Sequence, residues 1–127
     1  MNPRLIVYID DDEDDQELFQ MAVGEIDARI NCIAVYDARQ AWIKLTAQEW
    51  IPDTIFLDLN MPVLSGKEFL DKLKQHDTLK NIQVIILSTS SEPRTIKLMR
   101  EKGAHDFLTK PRSYPELVKI LQPLLTH

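Results

Sequence analysis

Short apolar runs alternate with longer amphipathic stretches from one end of the chain to the other. Leu5 to Ile9 is uninterrupted and predicts a buried strand. Glu13 to about Asp27 predicts a helix, with Leu18, Phe19, Ala22 and Ile26 on its apolar face. Ile30 to Tyr36 mixes β-branched with other residues and predicts a second strand. Asp37 is placed to cap a helix bearing Ala38, Ala41, Trp42 and Leu45, which Pro52-Asp53 breaks. The third apolar run is Thr54 to Leu57. Ser65 is a suitable N-cap for a helix carrying Phe69, Leu70 and Leu73, and His76 to Asn81 is polar and loop-like. Gln83 to Leu87 predicts a fourth strand. Ser91-Glu92-Pro93 has helix-start chemistry, for a helix carrying Ile96, Leu98 and Met99 that ends near Gly103. Asp106 to Thr109 predicts a short fifth strand. Tyr114-Pro115 opens a last helix with Leu117, Val118, Ile120, Leu121 and Leu124, whose regular part Pro123 is expected to end.

Strands alternating with helices imply an α/β fold, a parallel sheet covered on both faces. Right-handed crossovers make it doubly wound. The expected organisation is a single domain over 1–127, with no linker, repeat or output module. Ligands in such sheets bind outside the carboxyl ends of the strands, near a topological switch point.

Composition sharpens this picture in a few places. With 44% hydrophobic residues, 127 residues suffice for a full core. The formal charge of −5 is local, because Asp10 to Asp15 are all acidic and the remaining surface is near neutral. That excludes a basic stripe for nucleic acid. Cys32 is the lone cysteine, so no internal disulfide forms. Met1-Asn2-Pro3-Arg4 leads into an apolar run too short for a signal-peptide core, and no stretch approaches a membrane span. A cytoplasmic protein that uses no membrane is expected.

The chemistry gathers at the strand ends. The first strand ends in Asp10-Asp11-Asp12, the third in Asp58, the fourth in Ser88-Thr89 and the fifth in Thr109-Lys110-Pro111. Adjacent carboxylates repel, and a hard cation with oxygen ligands relieves that repulsion. Mg²⁺ suits such a site because it takes few protein ligands and accepts phosphate oxygens. Glu13, Asp14 and Asp15 are read instead as acids favouring a helix N-terminus. An EF-hand loop is excluded, because Asp15 stands where glycine is required and Met21 where the bidentate acid belongs. A dinucleotide or FMN loop is excluded because the first loop has no glycine.

Asp58 alone would be a turn cap. Beside an acid cluster and Lys110 it is a candidate nucleophile toward phosphorus, since phosphoryl transfer needs positioning and positive charge more than proton transfer. Gly66 either admits close backbone approach to this loop or serves the turn. Ser88 is placed either to donate to a phosphoryl oxygen or to satisfy a local backbone group. Phe107 reads as a core or half-buried aromatic. Pro111 restricts Lys110 to extended backbone and admits a cis bond before it.

Taken in order, Asp10-Asp11, Asp58 with Met61-Pro62 and Gly66, Ser88, and Lys110-Pro111 make the chain resemble the receiver domain of two-component response regulators over essentially its whole length. The resemblance implies a flavodoxin-like sheet of order 2-1-3-4-5. It implies phosphoryl transfer from a sensor histidine kinase, or a phosphotransfer protein, onto Asp58. Mg²⁺ would be held by Asp11, Asp58 and the main-chain carbonyl of Asn60, with Asp10 acting through water. Ser88 would then move toward the phosphoryl group and Phe107 would turn inward, reshaping the face made by the fourth helix, fifth strand and fifth helix for a downstream protein. The chain departs from the commonest pattern in Ser88 for Thr, Phe107 for Tyr and Thr89 for Ala.

The leading expectation is therefore a signalling protein rather than an enzyme acting on other substrates. A phosphate-independent protein-binding module on the same fold would usually have lost Asp58, Lys110 or a first-loop acid, and all are present. A metal-dependent phosphatase would need an acid–base residue in the Asp58 loop, a role Asn60 cannot fill. The apolar face of the last helix also allows a homodimer, although burial against its own sheet accounts for most of that face.

Overall fold

The computed structural model describes residues 4–61, 64–89 and 92–126. Pro62 of the Asp58 loop and Ser91 of the helix-start motif lie outside the described residues, as do 1–3 and 127. The elements in chain order are β1 (Leu5–Ile9), α1 (Glu13–Ile26), β2 (Asn31–Val35), α2 (Ala38–Thr46), β3 (Thr54–Leu57), α3 (Gly66–Gln75), β4 (Gln83–Ser88), α4 (Pro93–Glu101), β5 (Asp106–Thr109) and α5 (Tyr114–Leu125). All strand pairs are parallel and the sheet order is β2-β1-β3-β4-β5.

The three central strands, β1, β3 and β4, are buried on both faces, so alternate residues feed two separate cores. Ile6, Tyr8, Phe56, Ile85 and Leu87 point to one layer with Phe19, Ala22 and Val23 of α1 and Leu117, Leu121 and Leu125 of α5. Val7, Ile9, Ile55, Leu57, Val84 and Ile86 point to the other, with Ala41 and Leu45 of α2, Phe69, Leu70 and Leu73 of α3, and Met99 of α4. Thus α1 and α5 cover one face and α2, α3 and α4 the other.

The caps read from sequence form in the structure. The Asp37 side chain accepts from the Arg39 amide, and Ser65 Oγ from the Glu68 amide. Pro93 occupies the first turn of α4. Gly103, just past the end of α4, has φ +106°, a backbone that side-chain-bearing residues rarely adopt.

Three expectations fail for physical reasons. Leu18 is exposed rather than buried; Gln16 and Val23 take its inward place on α1. Gln16 is tolerated there because its side-chain amide donates to the carbonyls of Tyr8 (2.9 Å), Asp10 (3.1 Å) and Val35 (2.9 Å), knitting α1 to the ends of β1 and β2. Leu98 is likewise exposed, and α4 buries Met99 alone. Pro123 does not end α5, which continues to Leu125. Leu121 and Leu125 are buried on one face of that last turn, and their burial outweighs the one amide bond a proline forfeits.

Candidate phosphoryl-acceptor and metal site

Register places the acids. Ile9 pairs with Leu57 across the β1–β3 boundary, so the next residues, Asp10 and Asp58, leave the sheet side by side. The Asp58 amide donates to the Ile9 carbonyl at 3.0 Å, and the Asp10 amide to the Val35 carbonyl at 3.0 Å. This is where strand order reverses, the position at which such sheets open a crevice. From the far side, Ser88 pairs with Thr109 and the Lys110 amide donates to the Ser88 carbonyl at 2.7 Å, which directs Lys110 back over β4.

The Lys110 side chain closes the site. Its Nζ donates to Asp10 Oδ2 at 2.7 Å and to Asp15 Oδ2 at 2.8 Å, and lies 3.7 Å from Asp58 Oδ1. Asp10 is 0% exposed and Asp58 4%. Carboxylate oxygens of Asp10, Asp11 and Asp58 lie within 4.8 Å of one another. Asn60 follows as an exposed residue whose main chain hydrogen-bonds the Asp58 carboxylate. Ser88 is fully buried beside the loop, and a recess of about 360 Å³ lined by Leu59, Asn60, Ser65 and Ser88 among others opens there.

Electrostatics follow from this crowding. Burial, then the neighbouring Asp10 charge, pushes the Asp58 carboxyl above the ordinary carboxylate value; Lys110 and the Asn60 hydrogen bond oppose that only in part. Burial alone would depress Lys110. Its bonds to Asp10 and Asp15 outweigh burial and hold the ammonium above the ordinary lysine value. Three carboxylates, those of Asp10, Asp15 and Asp58, thus face one ammonium, and the Asp11 carboxylate lies within 4.8 Å of those of Asp10 and Asp58. Such a donor set fits a hard divalent cation, which would remove the remaining repulsion.

Gly66 has a reason beyond the turn. A Cβ there would sit 2.5 Å from the Asp58 carbonyl oxygen and 2.7 Å from Leu59 Cα, so the start of α3 packs directly on the loop that carries Asp58. The Lys110–Pro111 bond is trans, as are all described peptide bonds. Phe107 is buried, at 8% exposure, in the layer under α3 and α4. The ring already lies inward, whereas the resemblance implied an aromatic that turns in.

Two participants were missed in the sequence. Asp15, read as a helix-dipole acid, instead pairs with Lys110. Tyr8 donates its hydroxyl to Asp10 Oδ2 at 2.5 Å. Its place two residues before Asp10, on the same side of an alternating strand, was the available signal. Burial, and then the adjacent Asp10 charge, raises the Tyr8 phenol well above its usual value, which keeps it a donor. Tyr8→Phe is expected to lower stability by about 2 kcal/mol, the scale of a buried hydrogen bond to a charged group. Urea denaturation should read this; a loss below about 0.5 kcal/mol would mean Asp10 is satisfied without the phenol.

A doubly wound parallel sheet with acids and a lysine converging at its switch point is an arrangement suited to a cation and an anionic group. The chain belongs to the response regulator receiver domain family, whose family description matches residues 6–122. Response regulator Rcp1 of Synechocystis sp. is 30% identical over 125 residues, covering 94% of this chain and 85% of that protein. Two-component response regulator-like APRR5 of Arabidopsis thaliana is 29% identical over 117 residues, but the chain spans only 21% of its length. The crystal structure of the Mn(2+)-bound form of response regulator Rcp1 superimposes with a TM-score of 0.85 at 30% identity, covering 96% of this chain and 91% of that one. The phosphorylated cyanobacterial phytochrome response regulator RcpA gives a TM-score of 0.88 at 29% identity over the same shares. No helix among the described residues is long and apolar enough to cross a membrane.

Proposed function

We propose that this receiver domain accepts a phosphoryl group on Asp58 from a histidine kinase or phosphotransfer protein. The observation that supports this is the buried Asp58 carboxylate, flanked by Asp10 and with the Lys110 ammonium 3.7 Å away. An Asp58 carboxylate oxygen forms the new O–P bond as the donor's N–P bond breaks. The donor histidine nitrogen keeps the electron pair and takes up a proton. Charge on the three equatorial oxygens is met by Lys110 on one side, while the Ser88 hydroxyl donates on another. Asp11, Asp58 and the Asn60 carbonyl would hold Mg²⁺, with Asp10 acting through water; when bound, the ion supplies the remaining positive charge at the phosphoryl oxygens. Water attack on phosphorus later releases inorganic phosphate and restores the carboxylate.

Relatives fit this reading in both respects, one solved with Mn(2+) and one phosphorylated. The domain works in the cytoplasm, signalling to a downstream protein or relaying the phosphoryl group. Because Phe107 is already inward, the signal runs through Ser88 and the β4–α4 region more than through ring rotation.

The test is incubation with acetyl phosphate and Mg²⁺, followed by intact mass. Wild type gains one phosphoryl group and Asp58→Asn gains none. Unchanged mass in both proteins would leave the phosphate-independent binding module as the better reading.

A further inference from the structure

Asp15 lies at the third helical position of α1, after the N-cap Asp12. An acid there commonly reaches back to the N-cap amide. This one does not. Its backbone amide is held by the Asp12 side chain at 2.9 Å, and its own carboxylate turns to Lys110, 95 residues away, at 2.8 Å. The ammonium therefore has two short partners on the β1–α1 side, Asp10 at 2.7 Å and Asp15 at 2.8 Å, while Asp58 at 3.7 Å lies beyond hydrogen-bond range.

We propose that Asp15 is a positioning residue that draws the Lys110 ammonium away from Asp58, so that a phosphoryl group on Asp58 must compete with Asp15 for it. The functional half rests on Asp58 being the acceptor; the positional half does not. Asp10 cannot play this part alone, because it is flush with Asp58 on the adjacent strand end and an ammonium between the two could serve both. Asp15 stands on α1 and pulls toward the helix. A phosphoryl group carries more charge than the carboxylate it replaces and draws Lys110 across. The Asp15 bond is what it must break, and its loss frees the start of α1 from the β5–α5 connection.

The experiment compares Asp15→Asn with Asp14→Asn. Asp14 is exposed on the same turn, so its substitution removes an equal charge without touching Lys110. In a crystal structure of metal-free Asp15→Asn, Lys110 Nζ should move from 3.7 Å to hydrogen-bond distance of Asp58 Oδ1. By calorimetry with beryllium fluoride and millimolar Mg²⁺, Asp15→Asn should bind roughly fivefold tighter than wild type, the scale of one partly exposed ion pair, and Asp14→Asn less than about twofold tighter. An ammonium that stays at its original separation, or equal shifts in the two variants, would overturn the role. If wild type binds no beryllium fluoride, the acceptor reading fails, and the Nζ position alone decides whether Asp15 holds Lys110.

Discussion

Lys110→Met should lose about 3–5 kcal/mol of stability at neutral pH, the usual cost of leaving buried charges without their partner. Asp10 and Asp58 carry that cost, at 0% and 4% exposure. Asp15, whose side chain is 38% exposed, adds little because water screens it. Methionine keeps the length and most of the volume, so packing contributes less than charge. The deficit should depend on pH with a definite sign. Burial and the Asp10 charge already hold the Asp58 carboxyl above the ordinary value, and removing Lys110 takes away an opposing influence. A carboxyl raised in the folded state binds protons that the unfolded chain has released. Stability then falls as pH rises through that window and recovers as pH falls toward the ordinary carboxylate range. Denaturant midpoints across that range should show the deficit shrinking with acid, and millimolar Mg²⁺ should restore part of it at pH 7. A flat deficit, or one below about 1 kcal/mol, would mean the carboxylates are relieved by solvent rather than by Lys110.

Gly66→Ala should be nearly as damaging. In an ordinary helix the change gains up to about 1 kcal/mol of propensity. Here the new methyl would stand 2.5 Å from the Asp58 carbonyl oxygen and 2.7 Å from Leu59 Cα. Both are backbone atoms of the loop that carries Asp58, so no side chain can swing aside. Overpacking should win by about 3 kcal/mol. The fraction that folds should have the Asp58 loop displaced and should take up phosphoryl from acetyl phosphate at least about tenfold more slowly, since small misplacements at a reacting centre are costly. Wild-type stability and uptake rate in Gly66→Ala would show that α3 can shift off the loop.

Much of this architecture was legible as pattern. Strands with continuous apolar runs are buried on both faces and so declare themselves, and Asp37, Ser65 and Pro93 marked helix starts by capping chemistry. Hydrophobicity alone does not decide which face a helix buries. Leu18 and Leu98 face outward, and Gln16 is fully buried because three carbonyls at the sheet end needed its amide. No propensity encodes that demand; it exists only once β1 and β2 end side by side. Pro123 misled in the same way, since the pull of Leu125 into the core lies outside any local rule.

The site divides along the same line. Which residue types stand at which strand ends was written in the chain, because a parallel sheet sends every carboxyl end to one edge. Asp10, Asp58, Ser88 and Lys110 could be named on that ground, and Gly66 suspected. Which oxygen the ammonium chooses was not. Asp15 and Tyr8 join the site through hydrogen bonds made across α1, β1 and the end of β5. Linear order specifies alternation and burial, which are local and periodic, whereas the partner of a charge depends on ångström-scale distances that only the packed chain sets.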